Sequence, residues 1–188
     1  VDVVPSREAK MMERLGWRAE TLVEADFCPD QTWFERLPGV LERAQGAPLL
    51  VVETAGLCAR CSPYLEESLA VVVVEATAGL DTVDKLGPLM STADLCVVTH
   101  GDRLSQGERE LMRARLEGRH APDAIHFVNG LTGEGAARFA ARLDEGLATA
   151  RALSPGDPGA PRSVPPRLFC SLCLGRKDLP IPDAPGVG

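Results

Sequence analysis

The chain has 188 residues, enough for one domain with a single core and a short appendage. Its 45% apolar, 25% charged and 4% aromatic residues are typical of a globular protein with an aliphatic core. The net charge of -7 and the lack of clustered Lys and Arg argue against nucleic-acid binding. The apolar runs are far shorter than the roughly 20 residues that span a bilayer, so we do not expect an integral membrane protein.

The cysteines and the amino terminus together predict a cytoplasmic protein. No basic region followed by an apolar run and a small-residue cleavage site opens the sequence, so nothing points to export. We therefore expect the six cysteines in a reducing compartment. There, C-x-x-C pairs bind metal or act in redox chemistry more often than they form structural disulfides.

Helix and strand patterns alternate along the chain. In order they predict a helix at 6–15, a helix at 31–44 interrupted at Pro38 and Gly39, strands at 48–53 and 70–75, a helix at 81–90, a strand at 94–99, a helix at 105–116, a strand at 124–128 and a helix at 134–150. The strand runs are rich in Val and Leu with little alternation, as in strands covered on both faces. This order predicts an α/β fold, a parallel sheet flanked by helices with ligands beyond the carboxyl ends of its strands.

A change in composition near residue 154 predicts the domain organisation. Residues 1–153 are expected to form one α/β domain, followed by a Pro/Gly-rich linker at 154–168. A short cysteine-bearing extension then comprises a C-x-x-C segment at 169–178, and residues 179–188 form a disordered tail.

Polar, Gly-containing turns follow three of the predicted strands. They are residues 53–56 (Glu-Thr-Ala-Gly), 99–102 (Thr-His-Gly-Asp) and 129–133 (Asn-Gly-Leu-Thr-Gly). Each turn alone has a structural explanation, because acidic and Asn residues after strands commonly cap helices. The three turns in order, each at a predicted strand end, favour a nucleotide site.

The order of these turns resembles the P-loop GTPases that include the hydrogenase-maturation and urease-accessory nickel-insertion proteins and the CobW proteins. The resemblance covers roughly residues 1–150. It implies a P-loop NTPase-type fold in which Glu53 and Gly56 belong to the third GTPase motif, with the Gly56 amide facing the terminal phosphate. Asp2 matches the family's acidic residue near Mg²⁺.

The resemblance also implies a base-reading site for GTP. Thr99, His100 and Asp102 are similar to the motif Asn/Thr-Lys-x-Asp, in which the carboxylate accepts two hydrogen bonds from the guanine edge. His100 departs from the usual Lys, whose stem lies over the base, although an imidazole can also stack. Asn129, Gly130 and Leu131 resemble the Ser-Ala-x turn that packs against the base; here backbone amides would do the same work.

The phosphate-binding loop of this family is absent from the sequence. No Gly-x-x-x-x-Gly-Lys-Ser/Thr occurs, and its backbone cradle, its Lys and its magnesium-binding hydroxyl are missing with it. The chain as given is therefore not expected to hydrolyse GTP. Truncation of an upstream strand and loop, or degeneration of the domain, would account for this. An opening without Met favours truncation.

Two C-x-x-C pairs form the second group of candidate residues. Cys58 and Cys61 follow Gly56 almost directly, and Cys170 and Cys173 lie beyond the predicted linker. Two such pairs can bind one tetrahedral zinc or other thiolate-bound metal ion, or an iron-sulfur cluster, and a redox dithiol is the remaining alternative. Cys96 lies within a strand and is expected in the core.

The doubled C-x-x-C further resembles a branch of the family that carries Glu-Thr-Ala-Gly-Leu-Cys-x-x-Cys-Ser-Pro and a terminal Cys-Ser-x-Cys-Leu-Gly. The resemblance implies a GTP-dependent metallochaperone or metallocenter-assembly protein that couples nucleotide state to the cysteine site, acts on a client metalloenzyme of unknown identity, and forms a homodimer by analogy. The alternatives are a non-catalytic binding or scaffold module with a structural zinc site, and an electron-transfer or ATP-dependent activator with a bridging cluster.

Overall fold

Three parallel strands form the centre of the structure. The structure is a computed structural model that describes residues 8–22, 29–54, 56, 61–62 and 64–162, with no account of the side chains of residues 29–32. The strands β1 (Val71–Glu75), β2 (Leu95–Thr99) and β3 (Ile125–Val128) are arranged in the order β1-β2-β3. Thr99 pairs with Glu75 on one side and Val128 on the other. All three carboxyl ends therefore meet at one edge of the sheet.

Burial along the strands shows how the sheet is covered. Four residues of the central strand β2 are buried, whereas β1 alternates between buried Val72 and Val74 and an exposed Val73. This pattern places a covered strand between two edge strands, over the part of the chain that is described. The α/β class and three of the predicted strands are confirmed, each starting one residue later than predicted.

Helices pack around the sheet. They are α1 (Glu8–Arg14), α2 (Pro29–Arg43), α3 (Thr82–Lys85), α4 (Gly87–Met90), α5 (Gln106–Glu117) and α6 (Ala136–Leu147). Helix α5 begins where predicted because Ser105 caps it: the Ser105 hydroxyl accepts the Glu108 amide at 3.3 Å, and the Glu108 carboxylate accepts the Ser105 amide at 2.8 Å. Pro38 does not interrupt α2, and the helix predicted at 81–90 is divided into α3 and α4.

Two hydrophobic clusters hold these elements together. The larger cluster joins one face of the sheet to α3, α4 and α5 through Val83, Leu89, Met112 and Leu116. Cys96 lies in this cluster, fully buried as predicted, and burial raises the pKa of its thiol to about 12. The smaller cluster packs Trp33, Leu37 and Leu41 of α2 against Leu65.

The strand predicted at residues 48–53 is wrong. These residues adopt no regular structure and all six are exposed, including Val51 at 63%. A run of Leu and Val has the composition of a buried strand, but a strand also needs a neighbour for its backbone hydrogen bonds. β1 pairs on one side with β2, and no described strand occupies its other side.

The first part of the predicted linker packs on the domain. Residues 154–162 belong to a segment that begins at Arg151 and runs beside residues 64–68, with an isolated antiparallel bridge between Leu65 and Pro161. The Glu66 amide donates to the Ala160 carbonyl at 2.8 Å. Ordered contacts to the core therefore continue past residue 153. Residues 163–168, the C-x-x-C segment, the tail and Asp2 lie outside the described residues.

No helix in the described part of the chain is both long enough and apolar enough to cross a membrane.

Candidate functional site

A cavity of about 330 Å³ opens at the carboxyl edge of the sheet. Two of the predicted turns meet there, because Thr99 of β2 and Val128 of β3 are paired neighbours in the sheet. From the first turn and α5 the lining residues are Gly101, Asp102, Gln106, Arg109, Glu110 and Arg113, and from β3 and its turn they are Phe127, Val128, Asn129 and Glu134. The structure therefore brings Asp102 and Asn129 together, as ligand sites in parallel sheets require.

The first turn places an exposed carboxylate at the mouth of this cavity. Gly101 is buried, and a Cβ atom added there would lie 2.9 Å from the Phe127 ring, so a glycine lets the turn approach β3 closely. Asp102 follows it, exposed, and forms no ion pair with any residue that the structure describes. Its oxygens are available to accept hydrogen bonds from a ligand.

The second turn is held by its own hydrogen bonds. The Asn129 side-chain oxygen accepts the amides of Leu131 at 2.9 Å and Thr132 at 3.2 Å. The Asn129 amide donates to the Glu134 carbonyl at 2.9 Å. The Leu131 amide is therefore used within the turn, whereas the Gly130 amide has no acceptor among the described residues. The Leu131 side chain is 97% exposed, and of the three predicted residues of this turn only Asn129 lines the cavity.

A glycine ends this turn and begins α6. Gly135 has a φ of 77°, and a Cβ atom built on it would lie 2.0 Å from the Phe127 carbonyl oxygen. No side chain fits between the turn and β3 at this position. The tight approach fixes the turn against the strand that supplies Phe127 to the cavity.

His100 lies beside the cavity but does not line it. Its backbone is left-handed with a φ of 57°, the only such non-glycine residue in the described part of the chain. This conformation costs about 1–2 kcal/mol for a residue with a Cβ atom, and strain of this kind is often found at functional sites. The His100 Nδ1 atom lies 3.9 Å from Glu75 Oε1 at the end of β1. Thr99 also stays outside the cavity lining.

Helix α5 contributes cavity residues that the sequence analysis did not single out. The Arg113 guanidinium lies over the Phe127 ring, 4.9 Å from its centroid. Gln106 donates to Glu110 at 3.0 Å, and Arg109 has no ion pair within the described part of the chain. Positions 106, 109, 110 and 113 repeat at helical spacing directly after the Asp102 turn, and that spacing is the signal that would have revealed them.

Four residues of the predicted switch region are described on either side of or within it: Thr54, Gly56, Cys61 and Ser62. The hydroxyls of Thr54 and Ser62 lie 2.6 Å apart. Gly56 within it has a φ of 66°, and Glu53 before it is exposed. Cys61 is buried, with 7% of its surface exposed. None of these residues lines the cavity at Asp102.

Comparison with known proteins identifies a relative. The chain is 33% identical over 176 residues to the uncharacterized protein MJ0120 of Methanocaldococcus jannaschii, an alignment that covers 93% of this chain and 74% of the archaeal protein. The chain belongs to the MJ0120 family. No protein-family model matches the chain. MJ0120 is itself uncharacterized, so the likeness shows the family and assigns no function.

Two of the predicted nucleotide-binding residues, Asp102 and Asn129, line the cavity of this MJ0120-family chain. Asp102 brings a hydrogen-bond acceptor to it, and Phe127 under Arg113 provides a flat wall. The sequence contains no phosphate-binding loop motif. Asp2, the predicted magnesium ligand, lies outside the described residues.

The thiolates predicted to bind metal are only partly described. Among the described residues no three His, Cys, Asp or Glu side chains group to hold an ion. Of the four predicted ligands only Cys61 is described, and Cys58, Cys170 and Cys173 lie outside that part of the chain. The donor set itself, two C-x-x-C pairs, fits a tetrahedral thiophilic ion, and burial of Cys61 withdraws it from bulk solvent as in closed structural sites.

Proposed function

We propose that this chain is the base-recognising part of a guanine-nucleotide-dependent protein of the metal-chaperone GTPase type. In this proposal the nucleotide base occupies the cavity between residues 99–102 and 129–135. A cysteine metal site lies in the switch that follows Gly56, and nucleotide state changes how tightly the thiolates hold their metal ion.

One observation carries the proposal: Asp102 and Asn129 line the same cavity at the carboxyl edge of the sheet. Asp102 has no ion-pair partner among the described residues, and the hydrogen bonds of Asn129 leave only the Gly130 amide of that turn open for a ligand. A guanine edge offers two donors, N1–H and the 2-amino group, to a carboxylate and the O6 carbonyl to an amide, whereas adenine has an acceptor at N1 and a donor at its 6-amino group. These groups therefore support guanine over adenine.

The link to metal is supported by the contact of 2.6 Å between the hydroxyls of Thr54 and Ser62. Thr54 precedes Gly56 by two residues, and Ser62 follows Cys61 directly. A phosphate drawn to the Gly56 amide would pull on a segment that ends at a proposed ligand. Cys58, Cys61, Cys170 and Cys173 would hold the ion. When bound, zinc supplies a fixed tetrahedral centre without redox chemistry.

The test of the base site uses ligand-observed NMR with guanosine and adenosine, which need no phosphate loop. We expect guanosine to bind and adenosine to bind more weakly. Asp102→Asn should weaken guanosine binding at least about tenfold, because a hydrogen bond to a charged group contributes about 1.5–3 kcal/mol.

The matched control is Asp144→Asn, the same change at an exposed position in the second half of α6. It should leave guanosine binding unchanged. Equal binding of the two nucleosides, or equal effects of the two variants, would contradict the base site.

A structural zinc scaffold is the second candidate, and burial of Cys61 favours it. Metal analysis and absorbance separate the classes of metal site: one zinc per colourless chain fits either candidate, whereas a broad brown absorbance indicates an iron-sulfur cluster. If zinc affinity does not change when guanosine or GTP is added, nucleotide coupling in this chain is excluded and the structural zinc scaffold is favoured.

A further inference from the structure

Two residues of opposite charge line the cavity and pair with no residue that the structure describes. They are Asp102, on the turn after β2, and Arg109, on α5, and both are exposed. Their side chains form no ion pair or hydrogen bond with each other or with the rest of the described chain. A ligand that contacts both must therefore offer hydrogen-bond donors to the carboxylate and acceptors to the guanidinium.

The other polar side chains that α5 brings to the cavity already have partners. Gln106 donates to Glu110 Oε1 at 3.0 Å. Arg113 Nη1 lies 3.9 Å from Glu117 Oε1, and the Arg113 guanidinium covers the Phe127 ring. Among the described cations of the cavity, Arg109 is thus the one whose guanidinium donors all remain open to a ligand.

The backbone holds both residues in place before a ligand arrives. Asp102 lies in the helical turn Gly101–Arg103, where the Arg103 amide donates to the His100 carbonyl at 3.0 Å. The Arg109 amide donates to the Ser105 carbonyl at 3.0 Å and closes the first turn of α5. Only the two side chains have to be ordered on binding, which limits its entropic cost.

Guanine presents donors and acceptors on adjacent edges. N1–H and the 2-amino group donate on one edge, and O6 and N7 accept on the next. A guanidinium can donate to O6 and N7 together, as arginine does when it recognises guanine in DNA. O6 has two lone pairs, so a backbone amide can bind it at the same time. Adenine places its 6-amino group beside N7 and would set a donor against the guanidinium.

We propose that Arg109 is a specificity-determining residue of the base site and donates to N7 and O6 of guanine while Asp102 accepts from N1–H and the 2-amino group. This inference rests on the guanine site of the proposed function. Each edge of the base is then recognised by one charged side chain, and Arg109 disfavours adenine because its donors would face the 6-amino group.

The experiment measures nucleoside binding to the full chain by ligand-observed NMR, with guanosine, adenosine and 7-deazaguanosine, which has a C–H group in place of N7. Wild type should bind 7-deazaguanosine about fivefold more weakly than guanosine, because the contact to N7 is lost. Arg109→Met should weaken guanosine binding about tenfold and bring the two affinities within about twofold of each other. Arg109→Lys keeps the charge without the fork and should fall between wild type and Arg109→Met.

Arg109→Met is expected to fold, because the residue is exposed and Met is a good helix former. Arg103→Met is the matched control: it removes the same charge directly after Asp102, at an exposed residue that does not line the cavity. It should leave all three affinities unchanged. Inosine, which lacks the 2-amino group, reports on the other edge. Asp102→Asn should abolish the preference for guanosine over inosine, whereas Arg109→Met should keep it.

The outcomes separate the two proposals. A wild-type chain that binds no nucleoside, or binds guanosine and adenosine equally, overturns the base site and the role of Arg109 with it. Guanosine binding that Asp102→Asn weakens, with the preference for guanosine over 7-deazaguanosine unchanged in Arg109→Met, overturns the role of Arg109 alone. Equal losses in Arg103→Met and Arg109→Met would mean that net charge governs binding, and would also overturn it.

Discussion

At the scale of single residues, the buried His126 and the half-buried His120 are expected to make the domain sensitive to acid. Burial lowers the pKa of His126, and Arg138 and Arg142 of α6 lower it further, while Asp123 opposes them. Its Nε2 atom has no hydrogen-bond partner among the described residues, and its ring packs 5.4 Å from Phe139 of α6. Burial also lowers the pKa of His120. Both side chains are therefore favoured as neutral imidazoles in the folded chain.

A pH titration of stability tests this reading of the histidines. A group whose pKa is lower in the folded state binds more protons when unfolded, so stability rises with pH. The stability is complete above the ordinary histidine pKa of about 6.5 and is lost as pH falls from there through the lower folded pKa. We expect denaturant midpoints to fall between about pH 7 and 5, and the double variant His120→Gln with His126→Gln to flatten that slope.

Three carboxylates with lowered pKa values titrate below the range from pH 7 to pH 5. The pKa values of Glu67, Asp94 and Asp157 are held below their ordinary range in the folded chain, so their stabilisation is lost only below about pH 4. A slope between pH 7 and 5 that persists unchanged in the double histidine variant would contradict the assignment.

At the scale of elements, two glycines in the turn before α6 allow the effect of a close backbone approach to be separated from that of a left-handed backbone. Gly133 and Gly135 have φ values of 78° and 77°, but only a Cβ atom at Gly135 would collide with the Phe127 carbonyl. Gly133→Ala should therefore cost only about 1 kcal/mol, the penalty for a left-handed alanine. Gly135→Ala should cost at least about 2 kcal/mol and weaken guanosine binding, because the turn must leave β3. Thermal unfolding of the two variants measures the difference, and equal losses would argue against the tight approach.

The sequence predicted the three strands that pair in the sheet, but it wrongly predicted a fourth strand at residues 48–53, which has no partner among the described strands. Residues 70–75, 94–99 and 124–128 became β1, β2 and β3 because each run lies beside another in the sheet. The run at 48–53 has similar composition and stays irregular, since composition does not say whether a neighbouring strand is present. Pro38 was expected to interrupt a helix and instead lies inside α2.

The candidate site was predictable where chemistry lies in short turns. Asp102 and Asn129 could be found from their positions after strands, because parallel strands bring such turns to one edge. Arg109, Arg113 and Phe127 could not be found in that way, since their role depends on how α5 packs against β3. The five side-chain hydrogen bonds of Arg162, to Leu65, Ser68, Thr92 and Asp94, were equally hidden, because contacts made across the fold leave no local pattern in the sequence.

At the scale of the whole molecule, several large apolar side chains of the described residues are exposed to solvent. Residues 49–52 form a continuous exposed run, and Val73 on β1 is 59% exposed. Helix α6 has no fully buried residue despite its apolar face. Exposed apolar surfaces favour association between chains. The edge of β1 that faces away from β2 has no partner in the described sheet, and an unpaired strand edge favours association in the same way.

Sedimentation across a range of protein concentrations tests this expectation. We expect the wild-type chain to self-associate, and Val51→Lys or Val73→Lys to raise the dissociation constant about tenfold, equivalent to about 1.4 kcal/mol. Unfolding midpoints should change little, because both side chains are already mostly exposed. Leu111→Lys, at a 57% exposed site on α5, adds the same charge and should leave association unchanged. An equal effect of Leu111→Lys would mean that net charge alone governs association.

The burial of Cys96 in the middle strand makes it an internal standard for thiol chemistry. A sulfur atom enclosed on all sides and held as a neutral thiol reacts slowly with alkylating reagents. The remaining cysteines can then be counted by mass with and without added metal, on the natural sequence. Modification of this one position marks the molecules in which the sheet itself has opened, and so separates ligand protection from loss of structure.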